Sequence, residues 1–78
     1  MLQSALEHLV KGIVDHPDDV RVVAASGARG EVLEVHVNPE DLGRVIGRAG
    51  RTAKALRTLV TALADGRRVR VDVVDTDD

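Results

Sequence analysis

The chain contains no phenylalanine, tyrosine or tryptophan. That absence argues against reading bases by aromatic stacking, the mode of RNP-type sheets and many OB barrels. It has no cysteine, which excludes disulfides and thiolate metal sites and suits a reducing compartment. No apolar run approaches the ~18 residues of a membrane span. The first residues carry Glu7 and helical patterning rather than a basic targeting region. A cytoplasmic protein with no membrane partner is expected. At 78 residues the expectation is one small domain over 1–78, without a linker or repeats. Such a chain buries only about 60% of its unfolded surface, so a partner or a dimer would add stability.

The charge is unevenly placed. The whole chain carries a formal net charge of −2. Between Leu42 and Ala64 there are five basic residues, Arg44, Arg48, Arg51, Lys54 and Arg57, and no acidic one; six basic and thirteen acidic residues make up the rest. An acidic chain has gathered positive charge in one segment, as a polyanion site requires.

Apolar spacing predicts the elements. Leu2, Leu6, Leu9, Val10, Ile13 and Val14 share one helical face, giving a helix over 2–15 that ends before Pro17. Residues 20–25 and 31–37 read as strands joined by the turn cluster 26–30, a hairpin. Asn38 is a helix cap and Pro39 suits a first helical position, with Glu40 and Asp41 at the positive end of the dipole. Leu42, Val45 and Ile46 form the apolar side of a short helix. Ala53, Leu56, Leu59, Val60 and Leu63 mark a longer one that stops at Asp65-Gly66. Val69, Val71 and Val73 alternate with Arg70 and Asp72 as a last strand, with Arg68 and Arg70 expected on the sheet surface opposite Glu34. An acidic, frayed tail over 75–78 follows. The order is α-β-β-α-α-β. The last two strands should be parallel neighbours joined by a right-handed crossover, in a three-stranded mixed sheet with three helices on one face.

Gly47-Arg48-Ala49-Gly50 lies between two of these helices. Glycines allow a sharp turn and let a ligand approach the backbone. The helix that follows presents free N–H groups and a positive dipole end to phosphate. Arg48 and Arg51 can add charge-assisted contacts, with Lys54 and Arg44 extending a basic rim. Val45 and Ile46 are expected to line a groove for unstacked bases. Such a site suits a single strand of about four nucleotides.

The run Val45-Ile46-Gly47-Arg48-Ala49-Gly50-Arg51 resembles the KH-domain signature, and the element order is that of the type II KH fold, an α+β class. The approach to the first strand, Val14-Asp15-His16-Pro17-Asp18-Asp19-Val20-Arg21-Val22, and the run from Gly50 to Leu59 resemble the small bacterial single-KH KhpA (YlqC) family. The resemblance covers about residues 2–74. It implies a non-enzymatic RNA chaperone or post-transcriptional regulator of the cytoplasm, tied to cell elongation and division. It also implies homodimers, or heterodimers with a larger Jag-type partner that carries a KH domain. Relatives commonly have Lys where this chain has Arg44 and Arg48.

Two alternatives stand beside RNA binding. The helix-turn-helix surface could serve chiefly as a protein interface, or the groove could take single-stranded DNA. Enzyme readings fare badly, because neither the phosphate-loop nor the dinucleotide pattern is present. His8, His16 and His36 share no spacing that suggests a metal, and no cofactor is expected. Arg57 lies two turns beyond the glycines and is either a contact or a solvated helix residue. The 26–30 turn with Arg29 either walls the groove or is simply a hairpin.

Overall fold

The computed structural model describes residues 2–28 and 30–74. Arg29 and the acidic tail, 75–78, for which contact and fraying were expected, lie outside the described residues. The elements are helix α1 (Leu2–Lys11), strand β1 (Arg21–Gly27), strand β2 (Gly30–His36), helix α2 (Leu42–Ile46), helix α3 (Arg51–Ala64) and strand β3 (Val69–Val73), with one-turn 3-10 segments at Pro17–Asp19, Pro39–Asp41 and Arg48–Gly50. The sheet order is β1-β2-β3. β1 runs antiparallel to β2 and β3 parallel to it. This is the α-β-β-α-α-β arrangement expected from the sequence. No described helix is long and apolar enough to cross a membrane.

The core lies between the sheet and the helices. Leu6 and Val10 of α1, Val45 of α2, and Leu56 and Val60 of α3 meet Val22, Leu33, Val35, Val37 and Val71. Val20 and Val22 join this core, which the alternation in the later strands alone did not indicate. Val69 and Val73 are only partly buried. Leu59 and Leu63, expected on the buried side of α3, are 41% and 51% exposed. The core stripe of α3 is instead Ala53, Leu56, Val60 and Ala64, and small residues in that stripe allow close helix–sheet approach.

Two further expectations are corrected. α1 ends at Lys11, not at residue 15. Gly12, a poor helix former, donates to the carbonyls of both His8 and Leu9 at 3.2 Å as the chain turns. Ile13 and Val14 still pack on the core, from the turn, so the apolar pattern runs beyond the helix. Arg70 does not lie opposite Glu34. The register pairs it with Val32 and sets Asp72 beside Glu34, because the crossover decides where β3 begins against β2.

Candidate nucleic-acid interface

Asn38 caps its turn as expected, accepting the Glu40 N–H at 2.9 Å. α2 follows and closes with Gly47, whose N–H donates to Gly43 at 2.8 Å. Gly47 then adopts φ 77°, ψ 171°, a region that is essentially glycine-only. A Cβ here would overlap the Thr52 hydroxyl and lie 2.7 Å from Thr52 Cβ and 2.8 Å from its backbone N. Glycine is therefore required twice over, by its dihedrals and by the close packing of the turn on the first turn of α3. Gly50 is left-handed as well, at φ 74°, but a Cβ there meets open space. Between them Ala49 is held at φ 57°, ψ 25°, a conformation costly for a residue with a Cβ. No side chain caps the N-terminus of α3, so the positive end of a 14-residue helix faces the turn.

Arg48, Ala49, Arg51 and Lys54 are exposed around this turn. Among the described residues, Arg48, Arg51 and Lys54 make no ion pair, whereas Arg44 reaches Asp15 at 3.1 Å. That pair is exposed on both sides and costs little to open. Arg57 is engaged elsewhere: its Nε donates to the Val71 carbonyl at 3.3 Å, tying α3 to β3. Ile46 is 39% exposed beside the turn. Val45 is fully buried and does not line a groove. The short helix can turn only one of these neighbouring positions outward, so Val45 anchors α2 from beneath while Ile46 faces out.

One structural residue went unrecognised in the sequence. Its place in the sequence suits Asp41 to the helix dipole, yet it is 1% exposed. It accepts the backbone N–H of Asp15 at 3.1 Å and of His16 at 2.9 Å. It also lies 3.0 Å from His16 Nδ1. This fastens the loop after α1 to the start of α2. The Asp41 hydrogen bond raises the His16 pKa against the opposing effect of burial, with Glu40 and Asp19 adding to it. Burial works against the Asp41 charge, but the Asp15 N–H and the His16 contacts outweigh it and the pKa is lowered. The signal was His16 itself, beside Pro17 in a turn, but its partner is 25 residues away.

Parallel strands joined through helix, Gly-x-x-Gly turn and helix, backed by a third helix on the same sheet face, define a type II KH domain. The chain belongs to the KhpA/KhpB KH-domain family, whose model, described as "KhpA/KhpB, KH domain", matches residues 3–74. Among similar proteins, the RNA-binding protein KhpA of Leifsonia xyli subsp. xyli is 88% identical over 75 residues, covering 96% of this chain and 99% of the relative. The RNA-binding protein KhpA of Streptomyces coelicolor is 68% identical over 77 residues, covering 99% and 96%. That of Mycobacterium bovis is 67% identical over 73 residues, covering 94% and 90%. No solved structure gives a significant match.

Proposed function

We propose that this chain binds single-stranded RNA at the Gly47–Gly50 turn. It would act in the cytoplasm as an RNA chaperone or post-transcriptional regulator, together with a larger Jag-type KH partner. The observation that carries the reading is the cluster of Arg48, Arg51 and Lys54, exposed and without ion pairs among the described residues, around a turn whose glycines bare the backbone. Phosphate oxygens would take the Arg48 and Arg51 guanidinium groups and the open N-terminus of α3. Lys54 and Arg44 extend the rim, Ile46 offers an apolar surface to a base, and Val45 supports it from the core. The names of the relatives support RNA as the ligand.

Fluorescence anisotropy of a labelled single-stranded RNA tests this. Arg48→Asp with Ala49→Asp should lower affinity at least about tenfold, since a charge-assisted contact is lost and repulsion is added. The fold should persist, because aspartate tolerates the left-handed region better than most residues. Unchanged affinity in the folded variant would refute the site. A single-stranded DNA of the same sequence as competitor tests the sugar preference.

Leu59 and Leu63, exposed on α3, favour a second reading in which this helix-turn-helix surface is chiefly a homo- or heterodimer interface. Light scattering with and without RNA separates the two. RNA that dissociates a dimer means one surface does both jobs, and a dimer that takes no RNA supports the interface alone.

A further inference from the structure

Three arginines unused by the glycine turn gather at the other end of α3. Arg67 and Arg68 follow the helix and Arg70 lies in β3. They flank a cavity of about 640 Å³ beside the tip of the β1–β2 hairpin, with Ala25, Val32 and Val69 among the residues of its lining. Among the described residues Glu31 is the one acidic residue of that lining, so the described lining carries an excess of positive charge in a chain of net charge −2.

The wall of this cavity is tightly built. The Glu31 N–H donates to the Arg68 carbonyl at 2.9 Å. Arg67 Nη2 donates to Glu31 Oε1 at 2.6 Å. Gly30, at φ 112°, lies so close that a Cβ would come within 2.5 Å of the Arg68 carbonyl oxygen and 2.7 Å of Arg68 Cβ. Only glycine lets the hairpin close on the segment leading into β3. Arg67 is thereby fixed by Glu31. Arg68 and Arg70 are exposed and make no ion pair among the described residues.

We propose that this cavity is a second contact for single-stranded RNA, taking the part of the strand that runs on beyond the Gly47–Gly50 turn. The proposal rests on the RNA-binding reading above. Charge complementarity favours a polyanion, Arg68 and Arg70 supply phosphate donors, and the apolar lining suits sugars and unstacked bases. The 14 residues of α3 separate the two contacts by about 21 Å at the helical rise. A stacked strand advances about 3.4 Å per nucleotide, so at least about six nucleotides bridge them. A five-nucleotide RNA reaches one contact and a fifteen-nucleotide RNA reaches both, the second binding at the effective concentration that the first imposes.

The test is anisotropy with five- and fifteen-nucleotide RNAs on the wild type, on Arg68→Gln/Arg70→Gln and on Arg48→Asp/Ala49→Asp. The Gln variant should bind the short RNA as the wild type does and the long RNA about tenfold more weakly. Its salt slope on the long RNA should fall by about 1.4, at ~0.7 per lost phosphate contact on a single strand. The statistical gain from the several registers of a longer strand is shared by both proteins and cancels in their ratio. Equal weakening on both RNAs, or none on either, overturns the second contact. Should the Asp variant bind both RNAs as the wild type does, the glycine-turn reading fails instead. Amide shifts on the wild type provide a control independent of any variant's folding: Gly27, Val32 and Arg70 should move with the long RNA and not with the short one. Their failure to move also overturns the proposal.

Discussion

Replacing Gly47 with alanine should damage the domain far more than the same change at Gly50, although the motif treats the two as equivalent. At Gly47 the φ of 77° and ψ of 171° fall where a side chain costs about 1–3 kcal/mol. The new Cβ also meets Thr52 Cβ at 2.7 Å and Thr52 N at 2.8 Å. The second of these is backbone in the first turn of α3, so it cannot swing aside, and the overlap adds about 1–3 kcal/mol. At Gly50 the conformation is ordinary left-handed helix at φ 74°, ψ 13°, with nothing within 4 Å of a Cβ, so only about 1–2 kcal/mol is lost. A domain of 78 residues has about 4–12 kcal/mol to lose, and each kcal/mol lowers Tm by about 4–8 °C. At the middle of these ranges Gly47→Ala loses about 2.5 kcal/mol more than Gly50→Ala and should melt about 10–20 °C below it. With no aromatic residue to report by fluorescence, the assay is far-UV circular dichroism under heat and urea. If Gly47→Ala melts within a degree or two of Gly50→Ala, the close packing of the turn on Thr52 is refuted.

Three other outcomes follow from the same geometry. Ala49→Gly should stabilise by about 0.5–1 kcal/mol in urea titration, since relief at φ 57° exceeds the entropy a glycine adds to the unfolded chain; a loss of stability would contradict the left-handed assignment. The His16 pKa is raised from 6.5, so its stabilisation is complete below pH 6.5 and disappears as pH climbs through the raised value; the Asp41 pKa is lowered from 3.8, so its contribution is complete above pH 3.8 and disappears on acidification below it. The urea midpoints of wild type and His16→Gln should therefore differ most near pH 5–6 and converge at alkaline pH, and parallel curves from pH 5 to 9 would rule the latch out. Finally, RNA affinity for a short strand should fall with salt at a slope near −2, from about 0.7 for each of Arg48, Arg51 and Lys54; a slope near zero would mean these cations touch no phosphate.

Local chemistry accounts for what was legible in the sequence. The glycine pair, the Asn38-Pro39 start and the alternating valines each act within a few residues through dihedral preference or periodicity, so the elements, their order and the parallel pairing of β2 with β3 could be read directly. The basic segment was legible because charge adds up along the chain without reference to fold. Tertiary structure decided how those charges are engaged: Arg44 is in an exposed pair with Asp15 that opens at little cost and Arg57 donates to a β3 carbonyl, while Arg48, Arg51 and Lys54 are without ion pairs among the described residues around the turn. It also decided that Val45 is core while its neighbour Ile46 is surface, and that Asp41 is a buried acceptor for a loop 25 residues away. Those outcomes depend on where the crossover sets one element against another. That is a property of packing between distant segments, to which local propensity is blind.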